Sequence, residues 1–153
     1  MDDVEKAIRK IKNGVFVITY NLDGKNYGIT TAWVNRASFK PNVLMLSIGK
    51  NRKGYNELME SESFCVNILG ERGIEIARHF GVSTGGNINN FDDFEYGEMP
   101  SGNPFLKQSV GVIDCKLVKM VDLGDHVILF GEVLDGVEKE GEGLLFNREH
   151  FPS

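Results

Sequence analysis

Val15-Phe16-Val17-Ile18-Thr19-Tyr20, then Asn21-Leu22-Asp23-Gly24, then Tyr27-Gly28-Ile29-Thr30-Thr31-Ala32-Trp33-Val34 reads as strand, turn and strand. β-Branched and aromatic side chains suit a pleated, half-buried backbone. Asp-Gly between two such runs is a hairpin signal, because the turn needs positive φ and glycine supplies it. The same pattern continues outward along the chain. Pro41-Asn42 punctuates before a third strand over Val43 to Ile48, and Phe64 to Leu69 is a fourth. Val110 to Val121 places Ile113, Cys115 and Leu117 on one face, Val127 to Val137 follows a Gly124-Asp125 turn, and Leu144-Leu145-Phe146 gives a last short strand. Helical spacing is confined to short pieces. Val4, Ala7, Ile8 and Ile11 follow an Asp2 or Asp3 cap and stop at Gly14; Tyr55, Leu58 and Met59 mark a helix near 55–62; Ile74, Ala77 and Phe80 mark another ending at Gly81. About seven strands joined by hairpin-type turns predict a mainly β, closed antiparallel barrel rather than βαβ units.

A chain of 153 residues, 41% hydrophobic and 25% charged, is expected to form one domain over 1–153 with a core that needs no disulfide or metal. Net charge of −5 argues against a general nucleic-acid binder. The two cysteines, Cys65 and Cys115, each lie in an apolar run and read as buried free thiols, since no CxxC or Cys/His spacing accompanies them. His79, His126 and His150 lack ligand spacing, so no metal is expected. Met1-Asp2-Asp3-Val4-Glu5-Lys6 is not a basic segment leading into an apolar run, and no apolar run approaches the roughly 20 residues that span a bilayer. The expectation is a cytoplasmic protein with no membrane partner.

Two stretches break the strand pattern. Between Gly81 and Ser109 periodicity collapses, with Pro100, Pro104 and several glycines; Phe91, Phe94, Tyr96 and Phe105 supply apolar anchors, which predicts a packed cover. Ser47-Ile48-Gly49-Lys50-Asn51-Arg52-Lys53-Gly54 places three cations where a strand feeds the helix near 55–62. Cations are disfavoured at a helix N-terminus. An anion reverses that penalty, because free N–H groups and cationic side chains then converge on it. The alternative is a solvated basic turn. No GxGxxG, Walker A, GxSxG or HExxH motif is present, so an enzyme here would take its chemistry from a cofactor.

The order of the blocks carries a resemblance. Gly28-Ile29-Thr30-Thr31-Ala32-Trp33-Val34-Asn35-Arg36-Ala37-Ser38-Phe39-Lys40-Pro41 resembles the signature of the flavin-reductase-like, FMN-binding split-barrel family, roughly G-x-T-A-S-W-x-x-x-x-S-x-x-P. Ser47-Ile48-Gly49-Lys50, Phe64-Cys65-Val66-Asn67-Ile68-Leu69, Ala77-Arg78-His79-Phe80-Gly81, Phe91, and Gly124-Asp125-His126 before Phe130-Gly131-Glu132-Val133 follow in family order, over residues 14 to 147.

The resemblance implies an antiparallel split barrel of six or seven strands, Greek-key in type, that binds FMN and forms a homodimer. It implies that Thr30, Thr31, Ala32 and Trp33, with Ser47, Ile48 and Gly49, contact the isoalloxazine and ribityl chain. It places the phosphate among Lys50, Arg52 and Lys53, where the electrostatic argument puts an anion. Gly54 departs from the pattern, since many members carry a phosphate-binding Thr there. His126 is implied to lie near the bound nicotinamide; read alone, it is equally a turn histidine. Thr30 and Thr31 read alone are good strand formers, Trp33 is core or a ring-stacker, Asn67 is a buried structural amide, and His79 is a C-terminal helix cation. FMN is preferred to FAD because no adenine-binding motif is visible. The implied activity is hydride transfer from NAD(P)H to flavin, with free flavin or a protein as electron partner. Two alternatives stand beside it: an electron-transfer flavoprotein served by a redox partner such as a rubredoxin, without direct nicotinamide use, and a pyridoxamine-phosphate-oxidase-like barrel.

Overall fold

A computed structural model of the protein describes residues 1–151, so the last two residues of the expected 1–153 domain lie outside the described residues. The opening hairpin forms as read: β1 (Phe16–Leu22) and β2 (Lys25–Thr31) pair in antiparallel register, with Asp23 and Gly24 at positive φ in the turn. β3 (Val34–Ser38), β4 (Val43–Gly49), β5 (Ser63–Ile68), β8 (Gly111–Asp122) and β9 (His126–Glu138) complete a seven-stranded sheet. Its order is β2-β1-β5-β8-β9-β4-β3, and every neighbouring pair is antiparallel.

The sheet curls around a shared interior. Ile18 of β1, Ile29 of β2, Leu46 and Ile48 of β4, Phe64 of β5, Cys115 of β8 and Leu129 of β9 meet in one buried cluster. Leu58 of the helix α2 (Tyr55–Glu60) joins it from the end of the barrel. Strand β1 is buried on both faces, which explains its unbroken apolar run. Ile18 and Tyr20 face this interior, while Val17 packs outward with Phe80 of α3 (Ile74–Phe80), Leu69, Phe91 and Leu106. The two edge strands, β2 and β3, are joined directly through Ala32-Trp33. There the barrel is split rather than laddered: Trp33 carbonyl accepts the Ser47 N–H at 3.0 Å, and Thr31 hydroxyl donates to Ser47 carbonyl at 3.4 Å.

Four expectations are corrected. The run 27–34 is two strands, because the chain crosses from β2 to β3 at Ala32-Trp33. The N-terminal helix α1 (Asp3–Ile8) is capped by the Asp2 carboxylate as expected, but Val4, Ile8 and Ile11 remain exposed, so its apolar face is not packed on its own barrel. Segment 144–146 makes one bridge, Leu145 to Gly14, instead of a strand. The 81–109 cover is packed as expected, burying Phe91, Met99 and Leu106, but it is not without regular structure: β6 (Tyr96–Glu98) pairs with β7 (Pro104–Leu106) in a hairpin.

A buried polar network fastens that cover to the barrel. Asn67 Nδ2 donates to Val17 carbonyl at 2.9 Å and to Thr19 hydroxyl at 2.8 Å, and its Oδ1 accepts Leu106 N–H at 2.8 Å. Every hydrogen bond of this amide is therefore used structurally, as a buried amide requires. Cys65 and Cys115 are free and buried, and burial pushes both thiols up, Cys115 to about 12. Thiols so raised are inert as nucleophiles at neutral pH. Among the described residues no helix is long and apolar enough to cross a membrane.

Candidate functional site

The split opens onto a groove of about 1920 Å³. One end is built by Thr31, Ala32 and Trp33 from the β2–β3 crossing, Ser47 and Gly49 from β4, Asn51 and Arg52 from the following turn, Gly81 to Gly86 after α3, and His126 at the start of β9. The other end runs toward α1 and residues 140–151. Strand alternation decides which β4 side chains reach the groove. Ser47 and Gly49 line it, while Ile48 between them is buried in the barrel.

Thr31, Ala32, Trp33, Ser47, Gly49, Arg52 and His126 thus come together. The side chains of Thr30, Ile48, Lys50 and Lys53 are placed elsewhere. Thr30 is buried, and its hydroxyl donates to Ala77 carbonyl at 2.7 Å, so it joins β2 to α3. Lys50 Nζ donates to both carboxylate oxygens of Asp122, at 2.8 and 2.7 Å. That contact holds the ammonium above its usual pKa and the carboxyl below its own. Lys53 is exposed, and its backbone N–H donates to Thr84 carbonyl at 3.2 Å. The helix that follows also ends at Glu60 rather than 62.

Arg52 is the one member of the basic trio in the groove wall. Its Nη2 donates to Gly81 carbonyl at 2.6 Å, while its Nε–H is buried and has no acceptor among the described residues. Burial lowers its pKa to about 10, which leaves the guanidinium charged at neutral pH. A charged, buried N–H without an acceptor is costly and asks for one. The turn that carries it is held from below. Tyr20 hydroxyl donates to Gly54 carbonyl at 2.7 Å, and Gly54 sits at φ +84°. A Cβ there would meet the same hydroxyl at 2.8 Å. Tyr20 therefore explains why glycine stands where a threonine was expected from the resemblance.

His126 opens β9 directly opposite Gly49. Its ring lies 5.1 Å from that of Trp33, tilted by 34°, and its Nδ1 is 2.9 Å from Asp125 Oδ1. Trp33 is 53% exposed, so it is a wall of the groove and not core. His79 stays outside the site, in edge contact with Phe80 and Phe94 and with Nε2 2.6 Å from Asn90 carbonyl.

Asn51 and the loop Ser83-Thr84-Gly85-Gly86 also line this end and were not singled out from the sequence. A run of two hydroxyl residues and two glycines just past a helix stop was the available signal, since such loops turn backbone N–H groups toward anions. The long irregular segment around it hid that signal.

Comparison with known proteins follows the same outline. The family model described as a flavin reductase like domain matches residues 8–153. The chain is 32% identical over 152 residues to a ferric-chelate reductase (NAD(P)H) of Archaeoglobus fulgidus, covering 97% of this chain and 89% of that protein. It is 26% identical over 143 residues to the putative diflavin flavoprotein A 3 of Nostoc sp., covering 93% of this chain but 25% of that protein. The chain therefore spans about a quarter of the length of that relative. Among solved structures it is similar to the flavin reductase PheA2 in its native state, with a TM-score of 0.83, 32% identity and coverage of 95% of this chain and 94% of that one.

Proposed function

Because the chain belongs to the flavin reductase-like family, we propose that it binds FMN in the split of its barrel and uses NAD(P)H to reduce it. The observation that carries this reading is the unpartnered, buried Nε–H of Arg52 at the end of a groove walled by Thr31, Ser47 and the Gly81–Gly86 loop. A terminal phosphate would supply the acceptor that this atom lacks, and Ser83 and Thr84, which line the same groove, carry hydroxyls able to donate. FMN fits this better than FAD, since the phosphate is then the end of the ligand. Thr31, Ala32, Trp33, Ser47 and Gly49 flank the remainder of that groove end and are the residues proposed to hold the ring system and ribityl chain.

When bound, the flavin would supply the redox chemistry, two-electron reduction by reduced nicotinamide with one proton drawn from solvent. The protein's part is to bind, orient and exclude water. His126 stands on the mouth side of the groove, with Asp125 on Nδ1, so its Nε2 edge is the one available to a carboxamide or a flavin oxygen. A second copy of the chain would cover the exposed Val4 and Ile8 of α1 and Ile11 just after it, which supports a homodimer. Physiologically the electrons would pass to free flavin or a partner protein. The cytoplasm is the proposed compartment.

Anaerobic mixing of FMN-loaded protein with NADH or NADPH tests the activity. One nucleotide should bleach the flavin. His126→Ala should slow that step by up to about tenfold, the effect of losing one hydrogen bond of about 1 kcal/mol, while FMN affinity stays the same. Failure of both nucleotides to bleach a bound flavin would favour the electron carrier served by a redox partner. Equal rates in variant and parent would make His126 a structural turn residue.

A further inference from the structure

Lys50 was expected at the phosphate, yet both of its polar groups act on the hairpin that carries His126. Its backbone N–H donates to Asp125 carbonyl at 2.9 Å, and its ammonium binds both oxygens of Asp122. Those contacts bracket the tip of the β8–β9 hairpin. The tip is folded on itself: Asp122 Oδ1 also accepts Gly124 N–H at 2.8 Å, and Leu123 N–H donates to His126 carbonyl at 2.9 Å. Beyond the strand pairing at its base, Gly49 with His126 and Asp122 with Val127, little else fastens it to the barrel. Leu123 is exposed, Gly124 has no heavy atom within 4 Å of where its Cβ would stand, and Asp125 is solvent-facing.

An exposed ion pair of this sort adds little to global stability. Its consequence here is positional. Lys50 follows Gly49, and Gly49 is the residue paired with His126; a Cβ on Gly49 would lie 3.5 Å from His126 Nε2. The imidazole is therefore bounded by the Gly49 backbone on one side, the Trp33 ring on another and Asp125 at Nδ1. A shift of the tip away from β4 moves that ring relative to Gly49 and Trp33. Small displacements of a reacting-side group cost rate far more than they cost stability.

We propose that Lys50 is a positioning residue which pins the β8–β9 tip to the end of β4 and so sets His126 against Trp33. The inference rests on the proposed role of His126 for its effect on rate, but not for its effect on geometry. Lys50 then belongs to the nicotinamide side of the site, and Arg52 alone of the basic trio serves the phosphate.

Three measurements on the full chain separate the possibilities. Trp33 is the sole tryptophan, so its emission in flavin-free protein reports on the neighbouring imidazole, with His126→Ala as the reference change. Lys50→Met should move that emission in the same direction as His126→Ala, and Lys50→Arg should return most of it. Flavin reduction by NAD(P)H should fall about three- to tenfold in Lys50→Met, with FMN affinity unchanged. In a His126→Ala background the same substitution should add nothing. Unchanged Trp33 emission in Lys50→Met overturns the proposal, as does an equal loss of rate with and without His126. Weaker binding of FMN but not of riboflavin would also overturn it and return Lys50 to the phosphate. If Lys50→Met moves the emission while His126→Ala leaves the rate intact, the pinning stands and the catalytic reading of His126 fails instead.

Discussion

Arg52→Ala should weaken FMN binding by about tenfold or more, because a charge-assisted contact of this kind contributes about 1.5–3 kcal/mol. Riboflavin, which lacks the phosphate, should bind the variant nearly as well as the parent. The contrast between the two ligands carries the prediction. Arg52 also donates to Gly81 carbonyl, so its removal loosens the loop for any ligand, and FMN affinity alone does not separate the two effects. Equal weakening of FMN and riboflavin, measured by titration, would show that the guanidinium braces the loop and does not hold a phosphate. The buried Nε–H without an acceptor argues against that outcome.

A larger effect is expected from Gly81→Ala. Gly81 ends α3 at φ +81°, and a Cβ there would run into the Gly85 carbonyl oxygen and stand 3.0 Å from Gly86 Cα. Gly86, at φ +116°, is pressed in turn against Phe80 carbonyl. These obstacles are backbone atoms, which cannot rotate away, so the loop must open. Its opening separates Gly81 carbonyl from Arg52 and Thr84 carbonyl from Lys53 N–H. With a strained backbone position costing on the order of 1–3 kcal/mol before the clash is counted, FMN affinity should fall by about thirtyfold or more. The same strain should lower the melting temperature by several degrees, about 2–4 °C for each kcal/mol, while the barrel core around Ile18, Phe64 and Leu129 keeps its packing. A variant that binds FMN like the parent would show that the loop plays no part in the site.

What could be read from the sequence follows from what each residue's neighbours in the chain reveal. The β1–β2 hairpin and the long β8–β9 pair were legible because their alternation and turn residues are local properties. The family signature likewise ordered the blocks that surround the split. Arg52 was legible as a candidate anion ligand and lies in the groove wall; Lys50 and Lys53 were grouped with it by adjacency and by the family resemblance. Lys50 lies beside Arg52 in sequence and beside Asp122 in space, and nothing local announces a carboxylate that far along the chain. Thr30 was equally misleading: its neighbour Thr31 lines the groove, while its own hydroxyl is taken by Ala77 across the β2–α3 contact. The reason for Gly54 was hidden in the same way, since Tyr20 is brought to it only by the closed barrel. Burial of Asn67 was foreseeable from the apolar strand around it, and its partners on β1 and β7 were not.

FMN is proposed to bind in the split of the barrel, between the β2–β3 crossing and the end of β4, with its phosphate at Arg52. Trp33 stands in that wall and is the sole tryptophan, so titration of flavin-free protein with FMN at micromolar concentration, followed through Trp33 emission, tests it most directly. Saturable quenching at one FMN per chain is expected, with riboflavin binding more weakly in the parent and FMN losing that advantage in Arg52→Ala. Emission that does not respond to FMN, in a protein that is colourless as purified and stays so after incubation with the flavin, would contradict it.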